Sequence, residues 1–330
     1  HFGFEGERDT LQSLGYLLRA PEFNAYLAAQ DFCGDVLLPG RHSSPERPVH
    51  LSVQIFPYGD GRQLLLSRDI TAVQQAEAMR RDFVANVSHE IRTPLTVLVG
   101  FVETLQTLDL DEAERKHFLG LMAQQAARMQ NLVQDLLTLS RLEGSPPPAW
   151  DEWTPVAQLL SLCENEARAL AASLLPAGAA PLQLRFPAPQ DLAQAGDLAG
   201  NAAELQSALS NLISNAVRYT PAGGSVTVTW AHLADGSARF AVRDTGAGIA
   251  PEHIPRLTER FYRADRSRSR ETGGTGLGLA IVKHALQRHG AQLHISSQLG
   301  QGSEFAVSFP AQRLRPPSVL AQAEAACEGF

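Results

Sequence analysis

The sequence predicts a multidomain chain: a small α+β segment, an antiparallel helical hairpin that dimerises into a four-helix bundle, and a C-terminal α/β sandwich. Three observations predict it. Between Thr71 and Glu143, apolar residues recur at three- and four-residue spacing, the period of amphipathic helices. Gly144-Ser145-Pro146-Pro147-Pro148 then breaks that pattern as a linker. From Thr154 to about Pro310, helical stretches near 155–172, 203–219 and 277–289 are interspersed with strand-like runs near 182–186, 225–230, 238–243, 292–297 and 304–309. With 330 residues, 44% hydrophobic and 19% charged, the chain is long enough for two or three domains. The net charge of −7 and a pI near 5.8 argue against a sequence-independent nucleic-acid surface.

Residues 1–70 read as the small mixed segment. Asp9 is placed to cap a helix through Leu11, Leu14, Leu17 and Leu18, and Pro21 to Leu27 make a second short helix. His50 to Phe56 alternates polar and apolar as a half-buried strand does, Asp60-Gly61 signals a turn, and Gln63 to Ser67 returns. No haem, flavin or metal ligand set is visible there. Cys33, Cys163 and Cys327 are widely spaced and odd in number, which suits a reducing compartment.

Residues 71–143 carry the hairpin: one helix to about Leu108, then a second through Phe118, Leu121, Met122, Met129, Leu132, Val133, Leu136, Leu137, Leu139 and Leu142. A hairpin with one apolar face cannot bury it alone, and two-fold pairing solves that, so a homodimer is expected. Residues 144–152 are the linker, and Thr154-Pro155 reads as an N-cap with Pro at the first helical position of a domain spanning 153–312. The tail 313–330 is polar, Pro- and Ala-rich, and expected to be disordered. No run of eighteen apolar residues exists. The chain begins at His1 without Met, so the expectation is a piece of a longer protein with its membrane segment upstream.

The chemistry concentrates in five stretches. In the first, Phe83, Val84, Val87, Ile91, Leu95 and Leu98 form an apolar seam, and His89 falls off it, facing solvent. Glu90 adjoins His89, and Thr93 lies one turn on. An imidazole is a usable nucleophile near pH 7, and an adjacent carboxylate can accept its proton. Pro94 removes a backbone donor beside it.

Asn211 and Asn215 sit four residues apart on one helix face, opposite Leu205, Leu209, Leu212, Ile213 and Ala216. Asn is a poor helix former, an amide oxygen can ligate Mg²⁺, and Arg218 on the same helix suits a phosphate. Asp244-Thr245-Gly246-Ala247-Gly248-Ile249 follows a strand. Its carboxylate can take the amine of adenine, and its glycines admit a base closely. Phe261-Tyr262-Arg263 precedes a polar stretch. Gly274-Thr275-Gly276-Leu277-Gly278-Leu279 then opens a helix, where free N–H groups and the dipole favour an anion. Neither a Walker A loop nor a Rossmann fingerprint is present.

In this order, residues 71–310 resemble a sensor histidine kinase of two-component systems. His89 stands in an H box, Asn211 to Pro221 in an N box, Asp244 to Ile249 in a G1 box, Phe261-Tyr262 in an F box and Gly274 to Leu279 in a G2 box. Gly300-Gln301-Gly302-Ser303 is a G3-like turn. Arg81 to Glu90, with the short segment before it, is most similar to phosphate-regulon sensor kinases, and Ser67 to Thr71 resembles the exit of a PAS domain.

The resemblance implies a GHKL (Bergerat) ATP-binding fold and the cofactors ATP and Mg²⁺. His89 would be the phosphoacceptor and Glu90 its base. Asn215 would hold Mg²⁺, Asn211 would line the phosphate side, and Arg218, Arg263 and Arg266 would contact phosphate. Asp244 would read adenine, with Gly246, Gly248 and Ile249 giving access. Tyr219, Tyr262, Thr275, Gly276, Leu277, Gly278 and Leu279 would complete the site, and residues 264–274 would form a lid. Related ATPases carry a Glu where Asn211 stands, so hydrolysis should be slow. Thr93 would orient water for dephosphorylating a response regulator. The partners implied are a second copy of the chain and a response regulator receiver domain, with no direct nucleic acid and membrane attachment only through segments outside these residues. The place implied is the cytoplasmic face of the inner membrane. Two other readings stay open: a GHKL ATPase that uses ATP for conformational work, which Asn211 counts against, and a non-catalytic dimeric scaffold, which intact His89, Glu90 and the glycine motifs count against.

Overall fold

The computed structural model describes residues 2–4, 6–41, 43–44, 47–59, 62–174, 178–264 and 274–316. Asp60-Gly61, residues 265–273 with Arg266, and 317–330 with Cys327 lie outside the described residues. The chain divides into two compact units, His1–His89 and Glu90–Phe330.

In the first unit, α1 (Gly6–Asp9), α2 (Leu14–Leu18) and α3 (Pro21–Ala29) precede β1 (Val36–Pro39), β2 (His50–Tyr58) and β3 (Arg62–Asp69). The strands form an antiparallel sheet in the order β1-β2-β3. Alternation along β2 sends Leu51, Val53 and Ile55 into a core with Phe23 and Leu38. Asp9 ends α1 rather than capping a helix through Leu18. Residues 10–13 leave the helical path, Leu11 has a left-handed φ of 64°, and α2 starts afresh after Ser13.

Helix α4 (Thr71–Thr107) begins in this unit and continues into the second, running through Pro94. Its seam is Phe83, Val87, Ile91, Pro94 and Leu98, all buried or half-buried. Val84 and Leu95 were expected on that seam but are 58% and 48% exposed. At 100° per residue they fall on a neighbouring stripe, which Val99 and Val102 extend.

In the second unit, α5 (Glu112–Gly144) starts with a capping box. Asp111 accepts from Glu114 N (2.7 Å), and the Glu114 carboxylate accepts from Asp111 N (3.1 Å). Phe101 and Phe118 pack their rings 5.6 Å apart near the hairpin turn.

Beyond the linker come β4 (Trp153–Pro155), α6 (Val156–Leu174), β5 (Gln183–Arg185), α7 (Pro189–Ala193), β6 (Asp197–Ala199), α8 (Ala202–Tyr219), β7 (Ser225–His232) and β8 (Ala238–Asp244). The lobe is completed by α9 (Gly278–Arg288), β9 (Gln292–Gln298), β10 (Gly302–Phe309) and β11 (Leu314–Arg315). A mixed five-stranded sheet runs β5-β7-β8-β10-β9, and a small sheet runs β11-β6-β4. Helix α8 lies between α6 and α9 and packs on β7 and β8, while α9 also packs on α5. Thr154-Pro155 is strand, not a helix cap: both residues pair with β6, and the helix starts at Val156. Among the described residues, no helix is long and apolar enough to cross a membrane.

Candidate functional site

Helix α8 owes its orientation to one apolar face. Leu205, Ala208, Leu209, Leu212, Ile213, Ala216 and Val217 are buried, and Asn201 caps its start by accepting from Glu204 N at 3.1 Å. That packing turns Asn211, Asn215, Arg218 and Tyr219 towards a cavity of about 580 Å³, a size that takes a drug-sized ligand. The Asn211 amide nitrogen donates to Ser207 O (2.8 Å), so its oxygen is directed away from the helix backbone. Burial pulls the Arg218 guanidinium below its ordinary pKa.

Asp244 ends the central strand β8 and is 5% exposed. Its Oδ1 accepts from Gly246 N (2.8 Å) and Ser303 N (3.3 Å), while burial pushes its carboxyl above the usual range. No described residue donates to Oδ2, which is therefore left to take a donor from a ligand. Gly248 lies at φ 69°, and a Cβ there would stand 2.1 Å from Gln298 O, so only glycine lets this loop close against β9. Ile249 N donates to Ser297 Oγ (2.8 Å), which pins the loop from the other side.

Phe261 adopts a left-handed φ of 62°, rare for a bulky residue. Its N–H donates to Gly276 O (2.8 Å), which stitches the Phe261–Tyr262 turn to the start of α9. Tyr262 bonds His253 Nδ1 (2.7 Å), and Arg256 covers its ring at 4.2 Å. Arg263 donates to Gly274 O (2.6 Å). A Cβ on Gly278 would meet Asn211 Oδ1 at 2.5 Å, so the start of α9 and the polar face of α8 approach as closely as glycine permits.

The cavity therefore brings together Asn211, Asn215, Arg218, Tyr219, Asp244, Gly248, Ile249, Tyr262, Arg263, Thr275, Gly276, Gly278 and Leu279. Gly246 and Leu277 sit behind its wall, each donating a backbone N–H to a wall residue, Asp244 and Thr275. His89 and Thr93 are exposed on α4. Glu90, next to His89 in the chain, accepts from Arg128 (3.3 Å) and Arg263 (3.2 Å). Arg266 lies outside the described residues. Among the described residues, no group of three or more His, Cys, Asp or Glu could hold a metal ion.

Cavity or site residues that escaped sequence reasoning include Arg128, Asn131, Gln134 and Asp135 of α5, and His253, Leu257 and Leu299 beyond it. The available signal was polarity in an apolar run, since Asp135 stands between Leu132-Val133 and Leu136-Leu137.

Comparison with known proteins gives two family matches. Residues 79–145 match the His Kinase A (phospho-acceptor) domain, and residues 200–313 match the histidine kinase-, DNA gyrase B- and HSP90-like ATPase family. The Phosphate regulon sensor protein PhoR of Pseudomonas aeruginosa is 46% identical over 94% of this chain and 67% of its own length. The Haemophilus influenzae protein of the same name is 35% identical over 79% of this chain and 58% of its own. The chain thus spans about three fifths to two thirds of these relatives. A solved structure of histidine kinase ThkA in complex with response regulator protein TrrA superposes with a TM-score of 0.51, covering 94% of this chain and 89% of that one at 18% identity, a likeness of fold.

Proposed function

Because the chain belongs to the sensor histidine kinase family, we propose that it moves the γ-phosphate of ATP to His89 and then to an Asp of a response regulator receiver domain. The observation that carries this reading is His89 itself, exposed on α4 inside the phosphoacceptor match. A ring nitrogen of His89 would bond to the γ-phosphorus as the bond to the β–γ bridging oxygen breaks. ADP leaves, and Glu90 takes the imidazole proton. Positioning and charge neutralisation supply most of the catalysis in such transfers.

The cavity residues divide the nucleotide between them in this reading. Asp244 takes the adenine amine, beside Gly246, Gly248 and Ile249, and Tyr219 and Tyr262 flank the base. Arg218, Arg263, Thr275, Gly276, Leu277, Gly278 and Leu279 serve the phosphate end. The chemistry of the donors suits magnesium: a hard cation that keeps several waters needs few protein oxygens, and Asn215 supplies one from the cavity wall. Mg²⁺ held there would neutralise phosphate charge. Asn211, an amide, cannot serve as a base for water, which preserves the γ-phosphate for His89.

We assign 1–70 as a PAS-like segment, 71–143 as the dimerising hairpin, 144–152 as the linker and 153–312 as the ATP-binding domain, which the buried Arg313 and strand β11 (Leu314–Arg315) carry past the boundary expected for a disordered tail. Leu95, Val99 and Val102 of α4 and Leu119, Val133 and Leu137 of α5 are exposed apolar residues, which supports a homodimer closed as a four-helix bundle. The names of the two relatives support phosphate as the stimulus. Thr93 would orient the water that dephosphorylates the regulator.

Incubation with ATP labelled at the γ-phosphate should give acid-labile label that His89→Ala abolishes. Label that survives the substitution sinks the kinase reading. Thr93→Ala should spare labelling and slow regulator dephosphorylation; loss of both together counts against a separate role for Thr93.

A further inference from the structure

An aspartate is out of place where Asp135 stands. Its helix neighbours Leu132, Leu139 and Leu142 are buried, and α5 packs there on α9. The carboxylate lines the cavity, and its Oδ2 accepts from the Thr275 hydroxyl at 2.6 Å. Thr275 Oγ1 in turn accepts from Leu277 N (3.2 Å), immediately before the first turn of α9. Burial raises the Asp135 carboxyl above its ordinary pKa, while the Thr275 hydrogen bond and the charge of Arg218, which also lines the cavity, oppose that rise. Asp135 is thus joined through Thr275 to the start of a helix and shares the cavity with the Arg218 guanidinium, two features that suit a phosphate.

We propose that Asp135 is an internal anion that occupies the terminal-phosphate end of the nucleotide cavity, so that ATP and the Asp135–Thr275 contact exclude one another while ADP and the contact coexist. The inference rests on the nucleotide reading above. Its physical basis is like-charge repulsion: a triphosphate and a buried carboxylate cannot share Thr275 and Arg218 without one yielding. ADP lacks the γ-phosphate and leaves that end to Asp135. The residue then tunes nucleotide specificity by weakening ATP relative to ADP, because ATP binds only when the Asp135–Thr275 contact between α5 and the start of α9 parts.

The test is calorimetric titration of the full chain with a non-hydrolysable ATP analogue, ADP and adenosine, with and without Mg²⁺. Asp135→Asn keeps the shape and an acceptor for Thr275 but removes the charge, and Asp135→Ala removes both. The analogue should bind about ten-fold more tightly to both variants, equivalent to about 1.4 kcal/mol. ADP should gain no more than about two-fold on the same scale, and adenosine nothing. Equal gains for all three ligands, or no gain for the analogue, overturn the inference. Weaker binding of the analogue only with Mg²⁺ also overturns it, because Asp135 would then be a metal partner. Failure of the unsubstituted chain to bind any of the three would instead overturn the nucleotide reading beneath it.

Discussion

Loss of Arg288 should weaken the hold of the C-terminal lobe on the end of α5 and the start of the linker. At the end of α9 its Nε and Nη2 donate to the Glu204 carboxylate at 2.9 and 3.0 Å. Nη1 donates to Leu142 O (3.1 Å) and Ser145 O (2.6 Å), and Nη2 also reaches Pro146 O (2.7 Å). The side chain is 11% exposed, and Glu204 19%. Truncation by Arg288→Ala leaves three carbonyls and a carboxylate to find water. Hydrogen bonds to charged groups contribute about 1.5–3 kcal/mol each when buried, and partial exposure lowers that to about 1 kcal/mol per carbonyl. Glu204 loses less, since it sits in the first turn of α8, where the helix dipole favours a carboxylate. The total is about 3 kcal/mol, or a fall of about 6–12 °C in melting temperature for a domain of this size. All three tryptophans, Trp150, Trp153 and Trp230, lie beyond the hairpin, so their fluorescence follows the lobe alone. A double-mutant cycle with Glu204→Ala should show about 1–2 kcal/mol of coupling. A loss below about 1 kcal/mol for Arg288→Ala would refute the argument, because it would mean that water replaces the guanidinium at all of these acceptors.

Further outcomes follow from other contacts. Asp244→Ala should weaken binding of an adenine nucleotide about 10–100-fold, measured by calorimetry, and should leave inorganic triphosphate unaffected. His289 is fully buried. Its Nδ1–H donates to Ala285 O (2.7 Å), and its Nε2 accepts from Asn201 N (3.2 Å), an arrangement only the neutral ring can make. Burial lowers its pKa below 6.5, so stability is complete above that value and is lost as pH falls towards the lowered one. Urea titrations should show His289→Gln removing up to about 1.4 kcal/mol per pH unit from the acid slope. Asp111→Ala should cost about 1 kcal/mol in hairpin stability by breaking the capping box, read from helical circular dichroism on heating.

What was legible followed from local periodicity. The spacing of apolar residues marked α4 and α5 to within a residue or so, because a long helix repeats its signal many times. Asn211 and Asn215 declared themselves as poor helix formers on an otherwise apolar helix. The small sheet was invisible because β4, β6 and β11 are two or three residues long and pair across more than forty positions, too short to show alternation. Thr154-Pro155 was misread for the same reason: cap chemistry is local, whereas pairing with β6 is not. Asp135 could not be placed either, since its partner Thr275 lies 140 residues away. The strained backbone of Phe261 left no mark in sequence, because a phenylalanine at positive φ is imposed by its surroundings rather than by its own preference.

The linker has little slack. Arg288 grips the carbonyls of Ser145 and Pro146, Arg313 donates to Ala149 O (3.3 Å) and covers the Trp150 ring, and Gly200 N bonds Glu152 O (2.8 Å). Only Pro147 and Pro148 lie between the two guanidinium anchors, and consecutive prolines behave as a stiff spacer of about 3.1 Å per residue. A lobe tethered this way swivels about a fixed post instead of roaming on a leash. Even if Arg288 let go, three prolines would extend its radius by only about 9 Å.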